Sequence, residues 1–132
     1  MTKHIAPFLM FQGQAEAALT YYIQVFGSGQ IVSMERWPEG APNVEPGTVK
    51  TAVAEVAGLT IMASDNAVDH GFTFTPSLSL FATMESEDEI KRVCATLLDG
   101  GEALMPLGDY GFSKQFAWVK DRYGVSWQLN LP

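Results

Sequence analysis

The sequence holds few of the residues that assemble a reactive site locally. A single cysteine, Cys94, stands among its 132 residues, so no disulfide forms within the chain and no cysteine-rich metal site exists. Core burial must therefore supply the stability. Its two histidines, His4 and His70, follow neither His-x-His nor His-Glu-x-x-His spacing, which removes the local metal signatures. Charge is sparse and one-sided: charged residues make up 17%, with 8 Lys plus Arg against 15 Asp plus Glu, for a net charge of −7. Lacking a basic cluster, the chain lacks the electrostatic footprint of nucleic-acid binding, and anionic lipid surfaces are disfavoured too. No apolar run reaches the roughly 18 residues of a membrane span. The opening Met1–Pro7 has no signal-peptide pattern, so a cytoplasmic location is expected.

What is present is a globular composition, 47% apolar, at a length that fits a single domain over 1–132. Residues 4–11 read as a strand, which Pro7 confines to an edge or to its own first residues. Ala15, Ala18, Leu19, Tyr22 and Phe26 fall at helical spacing between Gly13 and Gly27. Strands are expected at Gly29–Trp37, Thr48–Val56 and Leu59–Ser64, the last two joined by a tight Ala57-Gly58 turn. Gly27-Ser28-Gly29 follows a helix and lacks a third glycine, so it reads as a helix stop rather than a nucleotide-binding turn.

The second half repeats the plan. A strand at Ser77–Met84 precedes Ser86-Glu87-Asp88-Glu89, a Ser-x-x-Glu capping box, and the stripe Ile90, Val93, Cys94 and Leu97. Strands then follow at Glu102–Leu107, Phe112–Lys120 and Val125–Leu129, with turns at Gly108–Gly111 and Tyr123-Gly124. The two helices match at a constant offset, and Ala57-Gly58-Leu59-Thr60-Ile61 matches Tyr123-Gly124-Val125-Ser126-Trp127. The expected architecture is α+β: two βαβββ repeats, about 1–65 and 77–132 with a linker at 66–76, forming curved mixed sheets with helices on the outer face.

This duplicated plan resembles the vicinal oxygen chelate superfamily of glyoxalases, bleomycin-resistance proteins and dioxygenases. Two blocks, Pro7–Ala18 with Tyr21-Tyr22 and Val25-Phe26, and Gly100–Leu107 with Asp121–Asn130, resemble its PhnB-like branch, labelled 3-demethylubiquinone-9 3-methyltransferase. The resemblance implies metal ligands on inward strand positions. Carried onto this chain, those positions hold Gln128, its repeat mate Met62, a residue near Pro7 and one within Ser77–Ser79, none of them His or Glu. Neutral amide, thioether and hydroxyl groups are poor ligands for hard divalent ions. The expectation is thus a metal-free small-molecule-binding protein without a cofactor, with a cavity over Met62, Phe116, Trp118 and Gln128, acting as a homodimer. Strand alternation puts Phe116 and Trp118 on one face of their strand and places Ser126 with Gln128 opposite Trp127. One alternative is a metal-dependent lyase, isomerase or dioxygenase with atypical ligands at Asp65, Asp69 and His70. Another is a non-catalytic dimeric scaffold with a filled interior. Methyl transfer is disfavoured, because S-adenosylmethionine enzymes usually carry a doubly wound sheet with a Gly-rich turn after the first strand.

Overall fold

A computed structural model describes residues 1–66 and 68–132; Ala67, within the expected linker, lies outside the described residues. The chain forms two compact units, Met1–Phe72 and Thr73–Pro132. The first contains β1 (Phe8–Phe11), α1 (Ala15–Phe26), β2 (Gly29–Arg36), β3 (Val49–Val56) and β4 (Leu59–Asp65). The second contains β5 (Ser79–Thr83), α2 (Glu87–Leu98), β6 (Glu102–Gly108), β7 (Gln115–Lys120) and β8 (Ser126–Leu131). The sheet orders are β1-β4-β3-β2 and β5-β8-β7-β6, one topology twice. In each sheet the first strand runs parallel to the last and the other pairs are antiparallel. This is the α+β duplication read from the sequence, as two open mixed sheets.

Local chemistry explains the boundaries. β1 starts only after Pro7, whose missing N–H bars it from donating to the ladder; its carbonyl still accepts from Met62 N–H at 2.9 Å. The expected strand from residue 4 is therefore shorter. α1 buries Ala15, Ala18, Leu19, Tyr22 and Val25, while Phe26, placed in that stripe by spacing, is only half-buried. Gly27 ends the helix in the left-handed conformation at φ 68°, its N–H donating to the Ile23 carbonyl. In α2 the four expected stripe residues are all buried. The Ser86 hydroxyl accepts from Glu89 N–H, and the Glu89 carboxylate accepts from Glu85 N–H, one residue before the usual capping-box donor.

Glycine is indispensable at two matched places. A Cβ on Gly29 would lie 2.1 Å from the Glu55 carbonyl oxygen, and one on Gly101 would lie 2.1 Å from that of Lys120. Each glycine lets the chain leaving a helix pass against the neighbouring strand. β7 begins at Gln115, three residues later than the expected 112, because the preceding turn is longer: Gly111 N–H donates to the Asp109 carboxylate in an Asx turn. No helix among the described residues is long and apolar enough to cross a membrane.

Candidate functional site

Helix α2 packs on β6, β7 and β8 and covers the face that carries Ala117, Val119, Trp127, Leu129 and Leu131, all buried. Trp127 belongs to this core, as strand alternation predicts, and its indole N–H donates to the Asp121 carboxylate at 2.9 Å. Asp121 is 2% exposed, and its other oxygen accepts from Tyr123 and Val125 N–H. That carboxylate shapes the β7–β8 turn.

The opposite, helix-free face is built by cross-strand register, because directly paired residues point the same way. Phe81 pairs with Gln128, Gln128 with Trp118, and Trp118 with Met105, one row across four strands. The neighbouring row is Ser79, Ser126, Lys120 and Glu102, and the row on the other side runs from Thr83 through Asn130 and Phe116 to Gly108. Expected site residues Phe116, Trp118 and Gln128 therefore share one face. A polar network links them: Trp118 Nε1–H donates to Ser126 Oγ at 2.8 Å, the hydroxyls of Ser126 and Ser79 lie 2.6 Å apart, and Gln128 Nε2 donates to Ser79 Oγ at 3.4 Å. Ser113 adds a hydroxyl bond to Asn130 Oδ1 at 2.5 Å.

Beside the network stands an aromatic cluster. Phe116 contacts Phe112 edge-on with centroids 5.0 Å apart, Tyr110 edge-on at 6.2 Å and Phe81 at 6.5 Å, while Tyr110 stacks on Phe112. Phe116 is buried beneath them, whereas Tyr110, Phe81 and Phe112 remain 42%, 59% and 62% exposed. The Tyr110 hydroxyl donates to the Pro106 carbonyl, so it is part of the turn. Sequence reasoning missed Ser79 as a partner of Gln128 and missed Tyr110 as a ring contact. Only the shared parity of Ser126 and Gln128 signalled the network.

Met62 lies in the first unit, on the helix-free face of its own sheet, half-buried and paired with Phe8 and Val53. In topology it is the counterpart of Gln128. The alternative metal set dissolves. Asp65 ends β4, is 3% exposed, and accepts from the N–H groups of Gly13 at 2.8 Å, Ala15 at 3.0 Å and Val49 at 2.8 Å. It thereby caps α1, whose N-cap residue Gln14 makes no side-chain cap bond. Asp69 closes an Asx turn on Gly71 N–H, and the His70 ring stacks on Phe72. Among the described residues no group of three or more His, Cys, Asp or Glu side chains is placed to hold a metal. A polar cleft of about 300 Å³ lies in the first unit beside Asp65, lined also by Gln12, Asn43, Thr48 and Asn66. Burial pushes the Cys94 thiol above its ordinary pKa, which leaves it a protonated core residue.

The family model described as 3-demethylubiquinone-9 3-methyltransferase matches residues 3–130. Among solved structures, the putative 3-demethylubiquinone-9 3-methyltransferase, PhnB protein, from Bacillus cereus is 47% identical, with a TM-score of 0.94 over 98% of this chain and 100% of that one. Protein YjdN of Escherichia coli is 27% identical across 96% of this chain and 94% of its own. The glyoxylase/bleomycin resistance protein/dioxygenase domain from Frankia shares the fold, with a TM-score of 0.65 at 13% identity over 99% of this chain and 98% of that one.

Two groups that the resemblance and the family description imply can be tested against the residues. The superfamily's ligand positions fall at Met62 and near Pro7 in the first repeat and at Gln128 and Ser77–Ser79 in the second, where Gln128 spends an amide N–H on Ser79; neutral side chains of these kinds do not fit a hard divalent ion. A Gly-rich dinucleotide-type turn would join β1 to α1. That junction is Gln12-Gly13-Gln14, and its Gly13 N–H is already bonded to Asp65. It does not fit the usual S-adenosylmethionine cradle.

Proposed function

This chain belongs to the 3-demethylubiquinone-9 3-methyltransferase family, and from that premise we propose that it is a small-molecule-binding protein of the glyoxalase/bleomycin-resistance type that works without a resident metal. One observation carries the reading: on the helix-free face of the second sheet, exposed aromatic rings stand next to the Ser79, Ser126, Trp118 and Gln128 network. Large rings left in water beside oriented polar groups mark an interaction site rather than a core. Phe116 supplies the apolar floor, Trp118 a ring fixed by its bond to Ser126, and Gln128 the polar group that orients a ligand. Met62 is the corresponding thioether on the first unit's face, suited to soft apolar contact.

The proposed working form is a cytoplasmic homodimer. Edge strand β2 supports it, because it leaves Ile31 37% and Val32 52% exposed beside unpaired backbone groups. Equilibrium sedimentation at the monomer mass would remove that part.

The function is tested by nuclear magnetic resonance with a set of planar aromatic and aliphatic fragments, on protein dialysed after exposure to nickel, zinc, manganese and iron(II). The expected hits are aromatic and shift the Trp118 indole and Gln128 amide signals, with no metal retained. Stoichiometric metal, or hits that leave both signals in place, would sink the proposal.

A further inference from the structure

We infer that the ligand of this face is a neutral aromatic carboxamide or lactam: a planar ring carrying a C=O and an N–H side by side. The inference rests on the small-molecule reading above and comes from counting protons in the network. An indole N–H can only donate, and Trp118 gives its proton to Ser126 Oγ at 2.8 Å. Gln128 gives an amide proton to Ser79 Oγ at 3.4 Å. The bond between the two serines, at 2.6 Å, consumes one of their two hydroxyl protons, so one remains.

Burial decides which. Ser126 is 2% exposed, and a buried hydroxyl proton without a partner is costly, so Ser126 donates to Ser79. Half-buried Ser79 then accepts twice and gives its own proton outward. Gln128, with one of its two N–H spent inward, keeps a second N–H and presents its carbonyl oxygen. The face thus offers only uncharged groups: the acceptor carbonyl and remaining N–H of Gln128, in the row of Phe81 and Trp118, and the donor hydroxyl of Ser79 in the neighbouring row. A carboxamide complements the Ser79 hydroxyl and the Gln128 carbonyl, its C=O accepting from Ser79 and its N–H donating to Gln128. Charge does not compete: Lys120, the cation in the adjoining row, is matched by Glu102 at 3.8 Å, and the net charge of −7 disfavours anions.

Calorimetric titration with naphthalene-2-carboxamide, 2-acetylnaphthalene and 2-naphthoate tests this. The carboxamide should bind roughly 2- to 12-fold tighter than the ketone, the worth of one neutral hydrogen bond, and the carboxylate weakest. Gln128→Leu should abolish the carboxamide's advantage without weakening the ketone. Ser79→Ala should weaken both by a similar factor and keep their ratio, and Phe112→Ala should weaken all three alike. Equal binding of carboxamide and ketone, or preference for the carboxylate, overturns this inference while leaving the small-molecule reading standing. Failure of all three probes to bind overturns both.

Discussion

Replacing Asp65 tests whether its carboxylate is a structural clamp or a spare reactive group. Both oxygens are engaged, Oδ1 by Gly13 and Ala15 N–H and Oδ2 by Val49 N–H, at 2.8–3.0 Å. They tie the start of α1 and the start of β3 to the end of β4. Hydrogen bonds to a charged partner contribute about 1.5–3 kcal/mol each. Asp65→Ala forfeits three, recovers part of the carboxylate's desolvation, and lets the part-buried Gly13 N–H regain water. The net loss should be about 3–5 kcal/mol, a large share of the roughly 5–15 kcal/mol of a typical domain. Asp65→Asn keeps one carbonyl oxygen for Gly13 and Ala15 but sets an NH₂ against Val49 N–H, which should cost about 1–3 kcal/mol. Urea unfolding followed by circular dichroism gives both values, and hydrogen exchange at Gly13, Ala15 and Val49 locates the loss. A loss below about 1 kcal/mol for the alanine variant, with exchange protection intact at those three amides, would refute the clamp and return Asp65 to the list of reactive candidates.

Gly101→Ala should destabilise by about 1–3 kcal/mol or more, read by calorimetry, because the new Cβ would meet the Lys120 carbonyl oxygen at 2.1 Å and that of Leu97 at 2.8 Å; an unchanged melting temperature would contradict the close approach. The Arg36 guanidinium grips Glu16 with two bonds at 2.8 and 2.9 Å and holds its carboxyl below the ordinary value of 4.5. A depressed folded-state pKa gives stability that is present above pH 4.5 and lost as the pH falls through the lowered value. Both side chains are about half exposed, so Glu16→Gln should cost little at neutral pH, nothing in strong acid, and less at 1 M salt. A stability difference that grows on acidification would reverse the sign of the argument.

The fold was legible in the sequence because both signals that define it are local. Helical spacing marked α1 and α2, and Ala57-Gly58 and Gly27 are turn and stop residues whose backbones do adopt positive φ, at 49°, 89° and 68°. Repetition of those signals then implied the duplicated topology. The site was legible only to the level of faces. Period-2 alternation put Phe116 with Trp118 and Ser126 with Gln128, face assignments that the strand register shares, but Ser79 meets Ser126 across 47 residues, a separation that periodicity does not encode. Asp65 was misread for a related reason. Asp-Asn after an apolar strand looks like the start of a loop, and only the folded chain brings Gly13 and Val49 N–H to its carboxylate. A buried carboxylate that satisfies backbone donors has no signature in its own neighbourhood.

Equivalent positions in the two repeats show how one topology carries different chemistry. Met62 lies between Phe8 and Val53, and Gln128 between Phe81 and Trp118. The strand pairing is the same, yet one position offers a thioether and the other an amide. A glutamate at 128 would present two acceptor oxygens and a negative charge, which in a partly buried setting calls for a cation. The amide has nearly the same shape but exchanges one acceptor for a donor and removes the charge. That donor is what Ser79 receives, and through Ser79 the orientation extends to Ser126 and the Trp118 indole. The amide thus leaves position 128 electrically neutral and oriented by a neighbour within the sheet. Under the proposed small-molecule reading, what this face would recognise follows from position 128 and its serine neighbours rather than from the fold.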